Sequence, residues 1–248
     1  MVKRDPESLT RADIERIAGR IVTAYLKLPA VQEEPDGMIQ PGILIRELLG
    51  LSVEYRTLSR SGSILGMTSC GEVLVTVYDD SGHPEYFPLD GKTLLIDSGL
   101  AAEGANEGRR HFTLIHEACH QIYRMLFPWA YRDSIAERRV YFCTPHRSKG
   151  RRDWEEWRAD TLTSAILMPP AMTRDNMNAF GLGEKLLRLN RVFAPREYAC
   201  FCEMAAHMGV SRQALAIRLK QLGLLEQDYL KDPYALVNVV PEDGEIPG

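Results

Sequence analysis

The chain predicts an α+β fold: a small β-sheet, then a buried helix, then a helix-turn-helix outline. Three observations carry this. Residues 63–97 gather β-formers between Gly and Asp turns, residues 110–120 place two histidines four apart on an otherwise apolar helix, and residues 197–223 set two helical patterns either side of Gly209. Taken in order, residues 8–27 predict a helix, with Ser8 or Thr10 as N-cap, Ile14, Ile17, Ala18, Ile21 and Tyr25 at helical spacing, and a stop near Pro29. Residues 42–49 predict a short helix ended by Gly50, and Val53 to Leu58 an edge strand. Ile64 to Met67, Val73 to Tyr78 and Thr93 to Asp97 supply the remaining strands. Residues 127–152 read as a loop with Pro128, Pro145 and Gly150 among the basic residues Arg132, Arg138, Arg139, Arg147, Lys149, Arg151 and Arg152. The run reads as solvated surface or as a flap over an acidic substrate segment. A helix over 154–167 ends at Pro169 and Pro170.

With 248 residues, 45% hydrophobic and 26% charged, the chain can bury a substantial core. The net charge of −4 argues against tight, nonspecific binding to nucleic acid. No apolar stretch has the length of a signal segment or membrane span, so a cytoplasmic protein is expected. Five cysteines (Cys70, Cys119, Cys143, Cys200 and Cys202) form no CxxC pair, which argues against a disulfide framework and a structural zinc knuckle.

The chemistry concentrates in His116-Glu117-Ala118-Cys119-His120, an HExxH signature of zinc peptidases. At about 100° per residue, His116 and His120 lie roughly 40° apart on one helix face, with Glu117 to one side of them. Both imidazoles can then bind one ion while the carboxylate stands beside its water. Ala118 points to the opposite face and suits a packed core; Cys119 reads as packing, and His111, well off the ligand face, as a surface histidine. Catalytic zinc takes a third protein ligand. Glu156 supplies it, because Asp160 follows one turn later and can accept a ligand histidine's other N–H; Glu155 is the competitor, about 100° away from that pairing. Small Ala159 and Thr163 let another helix approach.

These residues resemble the ImmA/IrrE family of metallopeptidases. The family pattern R-x-F-T-x-x-H-E-x-x-H reads here from Arg110 to His120. The pattern E-x-x-A-N reads from Glu156 to Asp160 and runs on to Leu167-Met168-Pro169, and V-S-x-x-A-L-x-x-R-L-x-x-L-G-L reads from Val210 to Leu224. Asp160 stands where the family has Asn and Cys119 where it usually has Gly, and the stretch between His120 and Glu156 is long. The resemblance implies a zincin-like, gluzincin-type peptidase domain over residues 1–195, a helix-turn-helix-like cap over 196–230 and an extended tail over 231–248. It also implies His116, His120 and Glu156 as metal ligands, Glu117 as general base and an Xre-type repressor as substrate, whose cleavage releases mobile-element or stress genes.

The expected cofactor is one Zn2+ per chain, with Mn2+ or Fe2+ able to use the same ligands. Such an ion acidifies water so that Glu117 can take its proton and pass it to the leaving amine. Tyr131, His146 and His207 are the candidate oxyanion donors. The alternative is a non-catalytic regulator that binds a repressor, or binds DNA through 197–223 with Arg212 and Arg218. The modest charge of that second helix favours a structural cap over DNA binding.

Overall fold

The computed structural model describes residues 5–33, 36–144 and 154–237. Helix α1 spans Arg11–Tyr25. Thr10 accepts from the Asp13 amide while the Asp13 carboxylate takes the Thr10 amide, a capping box that selects Thr10 over Ser8 as the start. Ile14, Ala18, Val22 and Tyr25 form its buried stripe. A short α2 (Pro29–Glu33) follows. Then α3 (Pro41–Ile43) runs into a π-helical turn over Leu44–Leu48, the region expected as one short helix.

Strand β1 (Ser52–Arg56) is the expected edge strand, and β2 (Gly66–Ser69), β3 (Glu72–Tyr78) and β5 (Thr93–Asp97) fall in the predicted region. Four strands were not expected, two of them in this part of the chain. β4 (Pro84–Asp90) pairs with β3 in a separate ribbon, and β6 (Val140–Cys143) lies inside the stretch read as a basic loop. The main sheet runs β1-β5-β2-β6, with β1 parallel to β5 and β2 antiparallel to both of its neighbours. Pro84 and Pro88 hide β4, because proline is tolerated only where a strand need not donate to a second neighbour.

Helix α4 (Glu107–Leu126) starts at Asn106, whose side chain accepts from the Arg109 amide. It packs on β2, β5 and β6 and on α6 (Trp154–Leu167), and α1 covers α6 in turn. From Thr113 to Tyr123 every residue of α4 is buried, so the helix is internal, as its apolar residues require. A short α5 (Arg132–Ala136) precedes β6. Pro169 stops α6, and Pro170 opens α7 (Pro170–Ala179) at the position where proline's missing N–H costs nothing.

After β7 (Leu186–Leu189), helices α8 (Pro195–His207) and α9 (Arg212–Gln221) form the expected pair. Ser211 caps α9 by accepting from the Ala214 amide, and β8 (Leu225–Asp228) returns parallel to β7. Phe201, Met204, Leu215 and Leu219 belong to the same hydrophobic core as Ile14, Ile115 and Ile166, so the pair shares the core of the α1, α4 and α6 layers. A smaller cluster, including Met67, Val77 and Leu95, fills the space under the β3–β4 ribbon. Among the described residues no helix is long and apolar enough to cross a membrane. Of the expected tail, the Pro233 carbonyl is held by Asn190, while Pro241 and Pro247 lie outside the described residues.

The docking of α8 and α9 corrects the surface assignment of His111 and bears on the DNA-binding alternative. His111 is buried, and its Nδ1–H donates to the Gly209 carbonyl at 3.1 Å. The turn between the helices comes so close that a Cβ on Gly209, at φ +60, would lie 2.4 Å from His111 Nδ1. Arg218, which the DNA-binding alternative needs at the surface, is 1% exposed and forms a two-pronged pair with Glu15 of α1. Its Nε–H also donates to the Met168 carbonyl at 2.9 Å, so this guanidinium is not offered to DNA.

Candidate metal centre

His116 and His120 stand one turn apart on α4, with their Nε2 atoms 3.3 Å from each other. Glu156, in the first turn of α6, brings Oε2 to 3.2 Å from His116 Nε2 and Oε1 to 3.3 Å from His120 Nε2. One turn later on α6, Asp160 Oδ1 lies 3.0 Å from His116 Nδ1, which turns the other ring nitrogen toward Glu156. The helices can approach this closely because α6 presents Ala159 and Thr163 to α4; the Thr163 hydroxyl reaches Cys119 Sγ at 3.4 Å. Cys119 is fully buried packing, and burial pushes its thiol pKa up.

Glu155 takes a different role. It accepts from the Tyr141 hydroxyl at 2.8 Å and pairs with Arg139 at 3.0 Å. Tyr141 in turn stacks on His120, ring centroids 4.3 Å apart and planes 12° apart. Phe112 stacks on His116 at 6.0 Å. Tyr141 was not anticipated, since nothing in a four-residue strand embedded in charged sequence marks its ring. Of the expected oxyanion donors, Tyr131 is buried beside Glu155 and Arg158, and His207 packs on Phe180 at 5.3 Å. His146 lies outside the described residues, as do Arg147, Lys149, Arg151 and Arg152 of the basic run; Arg132, Arg138 and Arg139 are exposed.

Glu117 is the most unusual group in the chain. It is fully buried, and no well-formed hydrogen bond reaches either carboxylate oxygen, although the Cys143 amide favours its ionised form. Burial pushes its pKa up to about 8, with His116 opposing and Glu156 adding to the rise. For His116 burial works the other way, yet Asp160, Glu156 and Glu117 together raise it to about 10. Burial lowers His120, with the His116 charge adding to the effect. Glu156, despite burial, is held well below the usual carboxylate range by the two histidines.

Backbone packing holds Glu117 in place. Gly66, at the start of β2, lies between Ile96 and Cys143 in the sheet, and a Cβ there would meet Glu117 Cγ, Glu117 Oε1 and Thr113 Cγ2, each at 2.8 Å. Its backbone is not left-handed, so the constraint is purely one of space. Gly66→Ala is expected to push Glu117 aside and cut any reaction that depends on it by about 10²-fold, while leaving unchanged any metal content that His116, His120 and Glu156 confer. Metal content and turnover of the purified variant check this together.

His116, His120 and Glu156 could thus hold a metal ion, and His116, Glu117 and Cys143 form an overlapping group with donor atoms within 4.8 Å of one another. The two histidines are buried and Glu156 is 23% exposed, while Asp160, 31% exposed, lines a cleft of about 560 Å3 together with Phe112, Thr113 and Cys143. A cluster of two imidazoles and a carboxylate beside a buried carboxyl concentrates donor atoms, so a cation that displaces the His116 proton is the partner it favours. No family model matches the chain, and no curated protein matches it.

Proposed function

We propose that this chain is a zinc-dependent metallo-endopeptidase with a zincin-like arrangement, hydrolysing a peptide bond in a specific protein. One observation carries the reading: three donors from two helices converge beside a buried carboxyl that has no well-formed hydrogen bond. The two Nε2 atoms stand 3.3 Å apart, close to the roughly 3.3 Å edge of a tetrahedron with ligands 2.0–2.1 Å from its centre, and Glu156 brings one carboxylate oxygen to within 3.2–3.3 Å of each. Mn2+ or Fe2+ would accept the same donors.

An ion held by His116, His120 and Glu156 would supply Lewis acidity, lowering the pKa of water and polarising the scissile carbonyl. Glu117 takes the proton of the attacking water and delivers it to the leaving nitrogen. Burial suits it to both roles, since a carboxyl poised near neutrality gives up a proton almost as readily as it gains one. Asp160 fixes the His116 ring, and the stacked Tyr141 fixes His120. A polypeptide laid in the cleft would run past Cys143 and Thr144 at the end of β6, the strand at the sheet's edge.

The three sequence blocks in order support an ImmA/IrrE-like activity, with an Xre-type repressor as substrate. Arg218's burial weakens the DNA-binding alternative. The test is elemental analysis of wild type, His116→Ala and Glu156→Ala, alongside cleavage of a co-expressed Xre-type repressor. One metal per chain, lost in both variants, together with repressor fragments only from wild type, is the expected result. A metal-free wild type, or a repressor that vanishes equally with all three proteins, overturns it.

A further inference from the structure

The cleft reaches the candidate metal centre at Thr113, Cys143 and Asp160 and does not end there. Its far wall is α9, where Ala214 and the half-exposed Ile217 face Phe112 across a floor that includes the buried Met168. At Asn106, Ser211 and Gln213 it meets a second cavity of about 640 Å3, which continues over the start of α9 to Arg191, Tyr198 and Arg212. Arg109 lines the first section.

The charge along this path runs against that of the whole chain. The protein carries 34 acidic residues against 30 basic ones, yet the lining of both sections holds three arginines and a single carboxylate, Asp160, which His116 engages. Among the described residues no ion pair neutralises Arg109, Arg191 or Arg212; Arg212 donates to the Tyr198 hydroxyl at 3.0 Å. Unpaired guanidinium groups along a groove select carboxylate-bearing ligands. The apolar section beside the metal ligands selects a large hydrocarbon side chain.

We propose that the cleft binds an extended polypeptide segment with a large apolar side chain close to the metal ligands and acidic side chains farther along, over the start of α9. The proposal deepens the peptidase reading and rests on it for the position of the scissile bond. The acidic preference rests on the arginines alone.

The test is fluorescence anisotropy on the full-length Glu117→Gln protein, which leaves the probe intact. The probe is a labelled peptide with one leucine ahead of a run of glutamates, made in both sequence directions. Its comparators carry glutamine for glutamate or serine for leucine, and a single-stranded oligonucleotide of equal length completes the set. The glutamate peptide is expected to bind about tenfold more tightly than either peptide comparator. Adding Arg191→Glu and Arg212→Glu, both exposed positions, should erase the glutamate preference and spare binding of the glutamine peptide. Equal binding of all peptides, no binding of any, or tighter binding of the oligonucleotide overturns the proposal.

Mass spectrometry of the same peptides after incubation with metal-loaded wild type separates the two readings. Selective binding without cleavage defeats the peptidase reading and leaves the cleft specificity standing. Cleavage with no acidic preference does the reverse.

Discussion

Glu117→Gln is expected to reduce hydrolysis by about 10²–10⁴-fold with metal content unchanged, because the variant keeps the shape of the side chain and removes its ability to carry a proton. The same substitution should alter the metal-free protein's response to pH. Folding raises Glu117 from 4.5 to about 8, so between those values the native state holds a proton that the unfolded chain has released. Stability contributed by this carboxyl therefore falls as pH rises from about 4.5 to about 8. His116, raised from 6.5 to about 10, contributes stability that is full below about 6.5 and is lost as pH rises through about 10. In Glu117→Gln the first slope should vanish and the second persist. Urea denaturation of the metal-free proteins at a series of pH values reads both. A parallel loss of stability with pH in variant and wild type between 5 and 8 would mean that Glu117 is not the group responsible. Because His116 carries its proton at neutral pH in the absence of metal, loading the site should also release a proton, and the heat of binding should vary with buffer ionisation enthalpy.

Arg218→Ala is expected to be the most destabilising single change away from the metal centre, by about 3–5 kcal/mol, which in a chain of this size lowers Tm by roughly 10 °C. The guanidinium is nearly inaccessible and all its described partners are fixed: both carboxylate oxygens of Glu15 and the Met168 carbonyl. Truncation leaves a void and strands a buried acceptor at the end of α6. Glu15 is 27% exposed, so water can take over part of its solvation, and Glu15→Ala should cost less than Arg218→Ala. Thermal denaturation of the two single variants and the double variant gives the coupling between them. Additive losses would mean that the pair contributes as two independent side chains.

The sequence was most legible where local rules decide the outcome. Thr10 and Ser211 announced helix starts because each can accept a backbone amide three residues on, and the helical spacing of Glu156 and Asp160 separated Glu156 from Glu155. Short elements were the least legible. β6, β7 and β8 have four residues each, too few for alternation to register, and β4 is interrupted by proline. The misplacement of His111 has a tertiary cause, since its burial depends on a turn that arrives 98 residues later in the chain. Arg218 did leave a signal. It lies three residues beyond Leu215 and beside Leu219, within the buried stripe of α9, and an arginine on an apolar stripe calls for a partner. Tyr141 left none, because stacking on His120 requires knowing that β6 exists.

The tie between Glu15 and Arg218 spans 203 residues, from the first long helix to the last. A chain emerging from the ribosome makes α1, the sheet and every proposed metal ligand well before Arg218 appears, so α1 waits for a partner made 203 positions later. The same late helix supplies the wall of the cleft that carries Ala214 and Ile217. A nascent chain would thus own its metal-binding donors without a completed place to seat a polypeptide. Making that wall after the donors would leave the proposed hydrolytic centre without a seat for substrate while the intervening chain is being synthesised.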